Sequence, residues 1–227
     1  MDERLWHDVD AYLGAQLLGD DAVLDRVTET SQQSGLPAIA VSPLQGKFLY
    51  LLARLVGARR ILEVGALGGY SAIWMGRALP PAPVGKLVTL EVNPMHADVA
   101  QVNIADAGLA EVVEVRLGAA LDSLPTLATE FGEGAFDFTF IDANKQNNAA
   151  YFSWAMRLTR PGGVIVVDNV VRQGHVVDAK SEEPSVVGTR KLFDAMAQDK
   201  RMTATAIQTV GLKGYDGFTI SIVEPSQ

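Results

Sequence analysis

Five short apolar runs, each followed by a stretch of helical spacing, constrain this chain more than any other feature. They are Ile61–Val64, Leu87–Leu90, Val112–Leu117, Phe136–Ile141 and Val164–Val167. The first two read as strands buried in the sheet. Strand and helix alternating in this way predict an α/β fold with a mostly parallel, doubly wound sheet and helices on both faces. Two further strands, Thr203–Val210 and Phe218–Val223, are separated only by residues 211–217. A link of that length makes an antiparallel C-terminal hairpin, for seven strands in all.

The first strand is the informative one. Gly65, Gly68 and Gly69 follow it and permit a tight turn close to a ligand. From Ala72 to Leu79 the spacing is helical. Strand, glycine turn and helix together form the opening unit of a Rossmann-like nucleotide-binding sheet. Ahead of it, Asp2 to Gly35 reads as two helices broken near Gly19-Asp20, a packing or oligomer-forming extension or a lid. Ser42 as N-cap with Pro43 at the first helical position opens a third helix. Leu44, Phe48, Leu51, Leu52, Leu55 and Val56 are expected on its core face. Pro161-Gly162-Gly163 reads as a turn ahead of the fifth strand. The predicted organisation is a helical extension over 1–40 and one catalytic domain over 41–227.

The chain has 227 residues and a net charge of −8, which argues against nucleic acid or an anionic membrane as partner. It contains no cysteine, so disulfides, zinc–thiolate sites and a cysteine nucleophile are excluded. The N-terminus MDERLWHDVD does not resemble a secretory signal, and no run approaches the roughly 20 apolar residues of a membrane span. A soluble, cytoplasmic protein is expected.

Ligands of such sheets bind at the carboxyl ends of the strands. Glu63, Glu91, Asp142 and the pair Asp168-Asn169 all fall there. Glu91 follows the turn at about the offset of an acid that binds ribose hydroxyls, the alternative being a solvated strand end. A dinucleotide fingerprint requires glycine where Leu67 stands, which disfavours an NAD-binding oxidoreductase. Glu63 would repel a pyrophosphate and suits a cationic ligand such as S-adenosylmethionine. Asp142, Asp168 and Asn169 offer three oxygen donors for one hard cation such as Mg²⁺; helix capping by Asp142 and Asn169 is the other reading. Lys145, three residues beyond Asp142, is a candidate general base. His7 and His96 are expected to be exposed and His175 to lie outside the chemistry. Trp74 and Trp154 are expected to pack.

These residues sit in a recognisable series: V-S-P-L-Q-G-K from Val41, L-E-V-G-A-L-G-G-Y-S from Leu62, F-I-D-A-N-K from Phe140 and V-V-D-N from Val166. In order and spacing the chain resembles the class I S-adenosylmethionine-dependent O-methyltransferases, of the cation-dependent caffeoyl-CoA/catechol type and its bacterial members. The resemblance implies a cofactor site of Val41, Glu63, Gly65, Ser71, Glu91, Ala120 and Asp142. Within it, Glu63, Gly65 and Ser71 hold the methionine end, Glu91 the ribose and Ala120 the adenine. It implies Asp142, Asp168 and Asn169 as ligands of Mg²⁺ or another divalent cation such as Mn²⁺ or Ca²⁺, and Lys145 and Asp142 as catalytic. A catechol-like small-molecule acceptor and a homodimer are further implications; a metal-independent methyltransferase is the alternative. Two positions depart from the pattern. Asn144 replaces an acid of D-A-D-K, and Ala119 replaces the acid of G-D-A.

Overall fold

Strand β1 (Arg60–Val64) lies in the middle of the sheet, and from Ile61 onward all its side chains are buried. The structure, a computed structural model, describes residues 3–225. Asp2, expected in the first helix, lies outside them. Helices α1 (Glu3–Leu17), α2 (Ala22–Gln33) and α3 (Pro43–Leu55) precede β1. Then follow α4 (Tyr70–Gly76), β2 (Lys86–Glu91), α5 (Pro94–Asp106), β3 (Val113–Leu117), α6 (Ala120–Phe131) and β4 (Phe136–Ile141). The chain continues with α7 (Asn148–Leu158), β5 (Thr159–Asp168), α8 (Pro184–Gln198), β6 (Met202–Gly211) and β7 (Gly214–Val223).

The sheet order is β3-β2-β1-β4-β5-β7-β6. The first five strands are parallel, and β7 pairs antiparallel with both β5 and β6. Period-two alternation divides the strand residues between two cores. Ile61, Leu87, Phe138, Phe140, Val164 and Val166 face α3, α4 and α5, joined by Leu24 and Val27 of α2. Leu62, Val64, Val88, Leu90, Ile165 and Val167 face α6, α7 and α8. At about 1.5–3 kcal/mol for each fully buried large aliphatic side chain, this double-faced burial is the main source of stability. No helix among the described residues is long and apolar enough to cross a membrane.

Three expectations from the sequence need correction. On α3 the buried residues are Gly46, Leu49 and Ala53, while Leu51 and Leu55 point outward. Gly46 faces inward because Trp74 of α4 fills the space, and a Cβ on Gly46 would lie 2.2 Å from its ring. The turn signal at Pro161-Gly162-Gly163 falls inside β5, where it forms an irregularity: Phe136 pairs with Thr159, but Phe138 pairs with Val164. The final hairpin is tighter than expected, with pairing down to Gly211–Gly214 and only Leu212-Lys213 at its tip.

Gly46→Ala should lower stability by about 1–3 kcal/mol through overpacking against Trp74, outweighing alanine's helix preference. Urea unfolding measures it; an unchanged or higher midpoint would contradict this packing.

Candidate active site

The loops after β1 to β5 converge on a cavity of about 1060 Å³. Its floor is the carboxyl edge of the parallel strands. Its roof comes from α2, the linker Leu36–Ser42 and the hairpin tip Leu212-Lys213. Val41, Gly65, Ser71, Glu91, Ala120, Asp142, Lys145 and Asn169 all line it. Glu63 and Asp168 lie buried and are absent from its lining.

The glycine turn is shaped by close backbone approach. Gly65 takes a φ of +105°, and a Cβ there would come 2.2 Å from the carbonyl oxygen of Asp142. Leu67, at the position that departs from the dinucleotide pattern, adopts a φ of 47°. Its amide donates to Glu91 Oε2 at 2.8 Å. The amides of Val92 and Asn93 donate to Glu91 Oε1 at 3.0 and 2.9 Å. Glu91 is therefore a fixed carboxylate, and Oε2, with one amide bound, retains the larger capacity to accept a hydroxyl. His96, expected to be exposed, is half-buried with Nδ1 3.8 Å from Glu91 Oε1. Its helix starts at Pro94, which turns the residue back over the strand end.

Beneath the turn, Ser71 Oγ donates to Glu63 Oε1 at 2.5 Å, while Oε2 has no hydrogen-bond partner among the described residues. Burial raises the Glu63 pKa to about 8, against the lowering effect of the Ser71 hydrogen bond. An acid in this state is poised to ionise beside a cationic ligand.

The second cluster joins β4 and β5. Lys145 Nζ donates to Asp142 Oδ1 at 2.6 Å, and Lys145 is buried. Asp168 accepts from the Asn169 amide at 2.8 Å and from Gln45 Nε2 at 2.7 Å. Burial, followed by the Asp142 charge, raises the Asp168 pKa to about 7, with Lys145 opposing. Asn169 adopts a φ of 56°. Asn144, the departure from the acidic pattern, accepts from the Tyr151 hydroxyl at 2.8 Å. Ala119, the other departure, lines the cavity and gives α6 no side-chain cap.

Sequence reasoning did not single out Gln45, Arg172 or Lys213. Gln45 had a faint signal, a polar residue one turn inside a helix whose start faces the site. His7 and His175 are exposed and outside the cavity lining. Trp74 packs in the core, and Trp154 lies beneath Arg157 with the guanidinium 4.3 Å from the ring centroid.

The stability consequence of Glu63 has a definite sign. The folded group titrates near 8 and a reference glutamate near 4.5, so its contribution to stability declines as pH rises between those values. Glu63→Gln keeps the Ser71 acceptor and removes the ionisation. Relative to wild type, this variant should gain stability from about pH 5 to about pH 8, on the order of a few kcal/mol. Paired denaturation curves at both pH values test it, and a constant difference would refute it.

A family model described as O-methyltransferase matches residues 15–221. A catechol O-methyltransferase of Mycobacterium tuberculosis is 52% identical over 216 residues, covering 95% of each chain. One from Niastella koreensis is 50% identical, covering 99% of this chain and 100% of its own. The solved O-methyltransferase of Bacillus cereus, in complex with SAH, superposes with a TM-score of 0.95 at 51% identity, covering 98% and 100%. An O-methyltransferase of Streptomyces achromogenes involved in tomaymycin synthesis, in complex with SAM, gives 0.94 at 48% identity, covering 99% and 100%. With that match on the sheet and cavity described above, this chain belongs to the O-methyltransferase family.

Proposed function

We propose that this protein transfers a methyl group from S-adenosylmethionine to one hydroxyl of a catechol-like acceptor, with a divalent cation, Mg²⁺ by preference. The observation that carries the reading is the union, in one cavity, of a glycine turn over a buried acid and an oxygen-rich cluster containing Lys145. Solved relatives in complex with SAH and SAM support the donor, and relatives named catechol O-methyltransferase support the acceptor.

Glu63, through Ser71, and the backbone at Gly65 hold the methionine end, Glu91 the ribose, and Val41 and Ala120 the flanks of the nucleoside. Asp142, Asp168 and Asn169 suit a hard cation. All three donors are oxygens, the Asp142 charge acts on Asp168, and Asn169 lines the cavity. A cation there would supply Lewis acidity that favours the deprotonated form of a vicinal hydroxyl. Lys145 Nζ, oriented by Asp142, takes the acceptor proton as the neutral amine, a form that a cation beside it would favour. The acceptor oxygen attacks the methyl carbon in line; the C–O bond forms as the C–S bond breaks, and S-adenosylhomocysteine leaves. The cavity walls supply proximity and exclude water.

Support for a homodimer comes from α1, which buries no residue of its own and leaves Leu5, Val9, Tyr12, Leu13 and Leu17 exposed. We place the protein in the cytoplasm. One observation favours a metal-independent variant of the same reaction. Lys145 and Gln45 already satisfy oxygens of Asp142 and Asp168, and no group of three acidic, histidine or cysteine residues among the described residues could hold a metal.

Chelation separates the two. With EDTA, methylation of a catechol should cease and return with Mg²⁺. Asp168→Ala should keep the far-UV spectrum and lose methyl transfer by roughly 10²–10³-fold, the scale of several kcal/mol of lost transition-state stabilisation. Full turnover of that variant in EDTA would rule the cation out.

A further inference from the structure

Lys213 sits where the proposed reaction gives it no role. It is the second residue of the two-residue hairpin tip, and the tip is held from two sides. The Leu212 amide donates to Asp10 Oδ2 of α1 at 2.8 Å, and Lys213 Nζ donates to the Ala38 carbonyl oxygen at 3.0 Å. Gly211 lets the tip come this close to α1, since a Cβ there would meet Asp10 Oδ2 at 2.3 Å. The residue is exposed, and its ammonium is held at the rim of the cavity by this one contact.

Its electrostatic environment is unbalanced. Among the described residues Nζ has one hydrogen-bond partner, a neutral carbonyl, for three donors. Asp10 is turned to the Leu212 amide. The neighbouring cation Arg172 is differently placed: it has Asp216 at 3.9 Å and the Ser185 hydroxyl at 3.2 Å. Partial burial also lowers the Lys213 pKa, a cost that an anion beside it would offset.

Position identifies which ligand meets it. Strand β7 pairs Phe218 with Asp168. Lys213 lies five residues beyond Phe218 towards the cavity, roughly 17 Å further along the strand at its usual rise. A ring anchored near Asp168 and Asn169 would reach the lysine only through a substituent pointing away from its hydroxyls. We propose that Lys213 is a specificity-determining residue that binds a carboxylate borne on a side arm of the acceptor, so that the preferred substrates are acidic vicinal diols. The proposal rests on the reading of the acceptor as a catechol.

Caffeate and its methyl ester differ in this one charge and make the test. Binding of each to wild type, Lys213→Met and Lys213→Arg is measured by calorimetry with Mg²⁺ and S-adenosylhomocysteine, and turnover is measured in parallel with S-adenosylmethionine. Wild type should bind caffeate about fivefold more tightly than the ester, the upper range for a solvent-accessible ion pair. Lys213→Met should bind the two equally with its ester affinity unchanged, and Lys213→Arg should keep the preference. High salt should narrow it. Equal binding by wild type, binding of neither compound, or a preference that survives in Lys213→Met would overturn the proposal. A lysine-dependent preference without methyl transfer would leave the anion subsite standing and refute the catechol reading instead.

Discussion

The site depends on the approach of two loops at the centre of the sheet. Strands β1 and β4 run side by side, and the Asp142 amide donates to the Val64 carbonyl at 2.9 Å. Immediately beyond, Gly65 occupies a space where the Asp142 carbonyl excludes any side chain. The glycine turn and the Asp142–Lys145 loop are therefore fixed to each other by main chain alone. Their separation is set by the spacing of neighbouring strands, which side-chain substitutions elsewhere do not alter. The glycine turn and the Asp142–Lys145 loop are two ends of one rigid step.

Around that step the charge is left unfinished. Glu91 is compensated by three backbone amides and Asp142 by Lys145. Glu63 and Asp168 are compensated least, and burial holds both well above the ordinary carboxylate range. Positive charge brought beside either lowers its pKa, so binding and ionisation are linked. Such groups cost stability in the empty protein, a common property of sites built to receive a ligand.

Most of the fold was legible because its signals are local. Short apolar runs and glycine or proline boundaries placed all seven strands. The hairpin tip was misjudged because Gly214 and Gly217 look like loop residues. Yet Gly217 lies in β7 where a Cβ would come 2.2 Å from the Ile207 carbonyl, so closeness of backbone explains the glycine. The inward face of α3 was misread for a related reason: leucines draw attention, but Trp74 demanded a glycine at position 46. Of the site, the strand-end acids and Lys145 were legible from topology, and the structure brings them together. Gln45 was not, because Asp168 lies 123 positions away. Nor was Lys213, whose importance depends on how far a hairpin projects.

The contact between α2 and the glycine turn bears on how divisible the protein is. Ser31 Oγ occupies the place of a Cβ on Gly68, 2.3 Å from it, and Asn103 of α5 joins both, reaching the Gly68 carbonyl at 2.8 Å and Ser31 at 3.3 Å. A chain begun at Val41 would keep the whole sheet yet lose the helix seated on its ligand-facing turn, together with the linker that roofs the cavity. The sheet supplies the scaffold, but the enclosure is made by residues that precede it. Shortening the protein through α2 would therefore open the cleft and take Leu24 and Val27 out of the core in the same step.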